Sequence, residues 1–419
     1  MWFLRYPAVR LALIAILGAH AIFLGAVPAT QKVGGDFPNY YTAGKIAARF
    51  PSKAPLYDDA WYQEQIHREG LNISGKFSPF PPMTALLCMP LAPFSPLTAL
   101  RIVTVINLLF AILAAELLSR CLLISRQESL LLVLFSGEGL TNCFLLGQAY
   151  IAVSLAVILG YYLYLRGNKA LAGVCLGFFV PIKYFPAVFM IYFAWKKEYL
   201  LLLSSGLTAA LLTAASLGLW GWEIHKQFLT SVLGNHLLSN LSMQNPYSTS
   251  FQSIDGLFRR LFVTHALHNP KPWLAYPAAY WALKPTLLLV LTLMTLRVLR
   301  KAMKNPSSHP LILALPAILI LVVAPATSTY NFLLLWLPLG LLMKYFTDTK
   351  QNGRLQLTWI LYMLLGFIPY GLFRRFDGQG VLTLLAYPRL FLMLGLLAIG
   401  TGVKDAPCPQ ESEAAPASS

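Results

Sequence analysis

Apolar residues run along this chain in long blocks separated by short polar or basic turns, with little of the alternation that marks water-exposed elements. Many blocks reach the roughly 17 to 25 residues that a helix needs to cross a bilayer. The pattern predicts crossings at 8–27, 97–119, 130–141, 144–165, 200–220, 278–299, 311–324, 332–343, 355–373 and 382–401. Between 170 and 195 the run carries Pro181, Lys183 and Pro186 at its middle, so two half-length or tilted helices meeting near Lys183 are expected in place of one straight crossing. The run 81–94 is too short to span and reads as a re-entrant or interfacial helix. The fold class is therefore all-α, a polytopic integral membrane protein with roughly 10–12 transmembrane helices.

Two long polar segments interrupt the blocks, at 30–80 and 221–272. In the first, Tyr40, Tyr41, Ile46 and Ala47 recur at helical spacing, which predicts a short amphipathic helix lying on the membrane. The second is rich in Asn, Ser and His. Residues 1–404 read as one transmembrane domain, and 405–419, rich in Pro, Glu, Ala and Ser, as a disordered tail. No short-period repeat and no pair of related halves is visible.

Composition agrees. Hydrophobic residues make up 57% and charged residues 11% of the chain, and mean hydropathy is +0.62, whereas a soluble domain is about 25% charged. The net charge of +16 does not imply a nucleic-acid partner, because the basic residues punctuate apolar spans and form no single patch. With the N-terminus inside, Arg120, Arg126, Arg166, Lys169, Lys196, Lys197, Arg300, Lys301, Lys344 and Arg354 all fall in cytoplasmic turns. Both termini are then cytoplasmic, and both long polar segments lie outside. The first run, after Arg5 and Arg10, resembles a signal peptide but exceeds the usual apolar length, so an uncleaved first span is the favoured reading. Cys88, Cys121, Cys143, Cys175 and Cys408 lack metal spacing and read as small core residues without a disulfide framework.

The sharpest candidate for chemistry is Gly34-Gly35-Asp36-Phe37-Pro38-Asn39-Tyr40-Tyr41, just beyond the first span. A carboxylate there, flanked by glycines that allow close approach of a substrate, can act as a general base toward a hydroxyl. It can equally cap the helix that follows. Asp58 and Asp59 are rivals, although both look like a helix start. Lys183 is either a functional intramembrane cation or a snorkelling side chain. Arg374 and Arg375 sit in a turn expected outside, against the charge bias, and serve either as a phosphate clamp or as a solvated loop. Lys284 reads as an anchor; Glu138, Thr141 and Asn142 either line a cleft or cap a helix. The separations of His225, His236, His265 and His268 fit no metal pattern, and neither metal nor cofactor is expected.

Several short motifs occur in a fixed order: Gly35-Asp36-Phe37 with Tyr40-Tyr41 and Ala43, Leu56-Tyr57-Asp58, Phe80-Pro81-Pro82, Gly147-Gln148, Lys183-Tyr184-Phe185-Pro186, Gln252-Ser253-Ile254 with Arg259, and Pro325 through Tyr330-Asn331 to Leu337-Pro338. Together they resemble glycosyltransferase family 87, a polyprenol-phosphate-mannose-dependent group with the GT-C fold. The resemblance implies inverting transfer of a hexose, with mannose first in line, from a polyprenyl-phosphate donor to a glycan or glycolipid hydroxyl. The reaction would take place on the outer face of a bacterial cytoplasmic membrane. It implies Asp36 as the base, and Tyr40, Tyr41, Gln148, Lys183, Gln252, Arg259, Tyr330, Asn331, Arg374 and Arg375 as substrate contacts. The chain departs from the family pattern at Phe80, where Tyr is common, at Tyr150 and Phe251, where Asn is usual, and in lacking a His in its late outer loop.

Two other readings compete: a transporter or lipid flippase of an envelope-glycan pathway, and a non-catalytic scaffold. A transporter would place its polar groups at the midplane of repeated halves. This chain concentrates them in two outer segments.

Overall fold

The computed structural model describes residues 6–49, 54–237 and 245–403. The expected disordered tail, 405–419, lies outside these residues. The first apolar block forms α1 (Pro7–Ala29), with a π-helical turn at Ile22–Ala26. The first polar segment holds α2 (Phe37–Arg49) and α3 (Asp59–Arg68), and α4 (Thr84–Cys88) follows. Next come α5 (Pro96–Leu122), α6 (Arg126–Leu134), α7 (Glu138–Leu145), α8 (Tyr150–Leu165), α9 (Lys169–Lys183) and α10 (Ala187–Trp195). The remainder is α11 (Tyr199–Trp220), α12 (Trp222–Gln227), α13 (Ile254–Phe262), α14 (Pro277–Ala302), α15 (His309–Val323), α16 (Trp336–Asp348), α17 (Asn352–Phe367) and α18 (Pro388–Thr401). Among the described residues there is no β-ladder, only an isolated bridge between His265 and Asn269.

Among the described residues, five helices are long and apolar enough to cross a bilayer alone, and three bent pairs raise the number to as many as eight. The roughly ten to twelve crossings expected include the runs that form α6 and α16, each too short to span as a single α-helix. The expected spans 130–141 and 144–165 are divided differently in the structure. The chain breaks at 135–137 and again at 146–149, and α7 and α8 meet at 119°. The expected break near Lys183 is present. Tyr184, at φ 45°, ends α9, and Pro186 opens the way into α10. Pro at that position disfavours helical geometry in the residue before it, so the two half-helices cannot fuse. Non-helical backbone at this depth is tolerated where it is buried in protein or lines a cavity.

The large apolar core runs through the helix bundle. A second core, built from Phe37, Tyr40, Tyr41, Leu56, Tyr62, Phe77, Phe80 and Leu100, also takes in Trp220, Ile224 and Phe228. The start of the second polar segment therefore packs onto the first. This second core corrects one expectation. The predicted amphipathic helix exists as α2, but its apolar residues pack inside the protein and do not form an open face. Residues Phe37 to Gly44, with Ile46 and Ala47, are buried, because α2 is enclosed by α3, α4 and α5. Only its basic end emerges, where Arg49 and Lys45 meet Glu69 at 2.6 and 3.7 Å. Cys88, Cys121 and Cys143 are buried free thiols, in keeping with the sequence reading.

Candidate active site

The site begins where two glycine turns interlock. Gly35 has φ +62° and Gly147 has φ +61°, a region that side chains with a Cβ rarely adopt. A Cβ on Gly35 would lie 2.6 Å from Leu146 Cα, and one on Gly147 would lie 2.6 Å from Phe37 Cβ. The amide of Asp36 donates to Leu146 O at 3.2 Å. Two motifs 112 residues apart in sequence are thereby pressed together, and Gln148 is set beside Asp36.

From that contact a chain of hydrogen bonds crosses the site. Gln148 Nε2 donates to Asp36 Oδ2. Tyr40 Oη donates to Gln148 Oε1 at 2.7 Å, and Lys183 Nζ donates to Tyr40 Oη at 2.9 Å. The Asp36 side chain is thus engaged with Gln148 and not with an amide of α2. Asp58, by contrast, caps α3 by accepting from Trp61 N at 3.1 Å, as its position predicted. Burial pushes the Asp36 carboxyl above the usual carboxylate value, opposed in part by the Gln148 bond and then by the Lys183 charge. Burial, with the Asp36 charge adding to it, holds the Tyr40 phenol well above its ordinary value, so it stays protonated and can donate.

Lys183 sits in an aromatic box. Its ammonium lies 5.4 Å from the centroid of the Tyr40 ring, 4.8 Å from Phe80 and 4.9 Å from Tyr150. Tyr150 in turn stacks on Tyr330 at 5.1 Å. Among the described residues Lys183 forms no ion pair. Each cation–π contact contributes up to about 2 kcal/mol, and desolvating an ammonium costs several kcal/mol. The box and the Tyr40 bond can hold the ammonium but supply no counter-charge, so its positive charge stays receptive to an anion.

These residues, Tyr40 excepted, face a cavity of about 490 Å³. Asp36, Gln148, Tyr150, Lys183, Tyr330 and Asn331 line it, with Lys76 and Phe251 on other walls. Burial pulls the Lys76 ammonium below its usual value, opposed by Asp59.

The remaining sequence candidates lie elsewhere. Tyr41 is buried and donates to Phe94 O at 2.7 Å. Gln252 ties loops together, donating to Thr249 O and Ala386 O and accepting from Arg389 N. Arg259 belongs to a cluster in which Lys284 and Tyr280 Oη reach the buried Asp255 Oδ1 at 2.6 and 2.7 Å, away from the cavity. Arg374 and Arg375 are exposed and do not line the cavity; the neighbouring Asp377 pairs with Arg260 at 2.8 Å. His225 is buried between Ser216 and Gly221 O. Lys76 was missed because a lone lysine in a polar loop carries no signal. Tyr150 was visible only as a departure beside Gln148.

The family model described as Glycosyltransferase family 87 matches residues 79–325, more than half of the chain. Neither the curated proteins nor the solved structures give a match. The matched stretch contains Phe80, Gln148, Tyr150 and Lys183; Asp36, Tyr330 and Asn331 lie outside it.

Proposed function

The chain belongs to glycosyltransferase family 87, and from this membership we propose that it transfers a hexose, with mannose the first candidate, from a polyprenyl-phosphate donor to an acceptor hydroxyl by a single inverting displacement. The observation that carries the proposal is the hydrogen-bonded chain from Asp36 to Lys183 within one cavity. Such transfer needs a base for the incoming hydroxyl and a cation for the departing phosphate, on opposite sides of the anomeric carbon. The chain ends in a carboxylate and an ammonium.

In this reading Asp36 accepts the acceptor's proton as the new O–C1 bond forms. The C1–O bond to phosphate breaks on the opposite face, and the leaving phosphate keeps the electron pair, its negative charge stabilised by the Lys183 ammonium. Gln148 and Tyr40 are positioning residues. Their polar atoms are occupied by each other and by the two catalytic groups, and Tyr40 is too deeply buried to meet substrate. Lys76 supplies a second cation at the rim.

We place the cavity on the outer face of a bacterial cytoplasmic membrane, with both termini inside. Helix polarity supports this: α5, α8, α9 and α10 each have one end near the cavity or the second core, and Arg120, Arg166, Lys169 and Lys196 at the other.

The test is transfer by purified protein in lipid nanodiscs, supplied with radiolabelled polyprenyl-phosphate sugars and candidate acceptors. Asp36→Asn should lower turnover by roughly 100- to 10,000-fold with donor binding retained. Asn can still accept from Gln148, so the loss would report on the base and not on the fold. No transfer from any polyprenyl-phosphate sugar would sink the reading.

A further inference from the structure

A second cavity, of about 190 Å³, lies behind the wall of the first. Its polar lining comes from Glu138, Asn142, Ser250, Ser328, Thr329 and Tyr370, and Tyr330 lines both cavities. Two loops form the partition. Ser248, Phe251, Ala326 and Asn331 face the first cavity, while Ser250 and Ser328 face the second. Leu146, whose carbonyl accepts from Asp36 N, also lines the second cavity, so Asp36 is seated on the partition itself.

The two cavities differ in charge. The first holds two lysines and one carboxylate. In the second, Glu138 Oε2 is paired with Nη2 of Arg389, a residue only 1% exposed. Arg389 also donates to Leu365 O at 3.3 Å and Ile368 O at 3.1 Å. The pair leaves no net charge, so nothing there calls for phosphate. What remains is a dense set of directional groups, with carboxylate and hydroxyl oxygens beside amide, guanidinium and hydroxyl donors. Several already sit in defined orientations: Asn142 Nδ2 donates to Thr329 Oγ1 at 2.8 Å, and Tyr370 Oη lies 2.7 Å from Thr249 Oγ1. Such a lining suits a neutral molecule carrying many hydroxyls.

We infer that the second cavity is a sugar-ring subsite. It takes one neutral hexopyranose unit of the acceptor and directs its reacting hydroxyl past Tyr330 toward Asp36. This rests on the transferase reading above and adds to it the acceptor's class and seat. Glu138 is the specificity residue in this view, its carboxylate held by the buried Arg389 so that it can accept from hydroxyls of the ring.

Glu138→Gln is the obvious variant, but it would strand a buried guanidinium and endanger the fold. Tyr370→Phe and Asn142→Ala are gentler. The probe is a panel of methyl hexopyranosides, with binding followed by saturation-transfer NMR on the full chain in nanodiscs. At least one glycoside is expected to bind wild type and to bind at least about fivefold more weakly to either variant, as for a lost hydrogen bond. Binding should persist in Lys183→Met, which alters only the first cavity. If no glycoside binds, if both variants bind like wild type, or if Lys183→Met abolishes binding, the inference is overturned. Donor breakdown by the same wild-type preparation tests the transferase reading separately, because it does not depend on where the glycoside sits.

Discussion

Lys183 Nζ donates to Tyr40 Oη at 2.9 Å across 143 residues of sequence, and that bond joins a half-helix of the bundle to the helix that follows the Asp36 loop. Tyr40 and Gln148 carry a continuous hydrogen-bonded link from the ammonium to the Asp36 carboxylate, beside the direct attraction of their charges. A change at either end is therefore felt at the other.

Tyr40→Phe removes that bridge and keeps the ring under the ammonium. A hydrogen bond to a charged group is worth about 1.5–3 kcal/mol, so kcat should fall by roughly 10- to 100-fold with the protein still folded. Single-turnover transfer measures it. A rate equal to wild type would remove Tyr40 from the mechanism.

The pH profile should show an acid limb above the ordinary Asp value of 3.8. Activity needs the ionised carboxylate, which exists above the raised pKa and is lost as pH falls through it. Lys183 favours the ionised form, so Lys183→Met should move the limb to still higher pH. Residual kcat/KM across acidic pH is the readout. A limb unmoved by Lys183→Met would uncouple the two groups.

Donor affinity should separate the cations. Lys183→Met should raise the donor KM by roughly 10- to 100-fold, the loss of one charge-assisted contact. Replacing Arg374 and Arg375 together by Ala should change it far less, since both are exposed and away from the cavity. The reverse order would move the phosphate site to the 374–377 turn.

The interlocked glycines should tolerate no side chain. Gly147→Ala forces a left-handed residue, at about 1–2 kcal/mol, and drives its Cβ to 2.6 Å from that of Phe37. Thermal unfolding should begin several degrees lower and transfer should fail. Gly18→Ala, with nothing within 4 Å, is the control and should match wild type.

Orientation can be read by an impermeant thiol reagent on intact cells. Cysteine placed at exposed Asn72 should label and at exposed Arg166 should not. Labelling only at Arg166 would invert the topology.

The sequence by itself determined the solvent of this protein and most of its helices. Apolar run length is a local property set by the width of the bilayer, and it located α1, α5, α11 and α14 to within a few residues. Proline chemistry is equally local, so the break at Lys183 was legible from Pro181 and Pro186. Asp36 and Lys183 stood out as residues of unusual type for their positions, and Gln148 entered only through the resemblance of the Gly147-Gln148 motif. The tertiary structure alone decided which of the candidates share a cavity. Gln252, Arg259 and Tyr41 have the right chemistry, yet their polar atoms are taken up by carbonyls, an aspartate and a phenol of neighbouring elements. Tyr40 and Gln148 become positioning groups only because Gly35 and Gly147 let two distant turns touch. Contacts between residues more than a hundred positions apart leave no periodicity to read, and a side chain's partner is fixed only once the helices have packed.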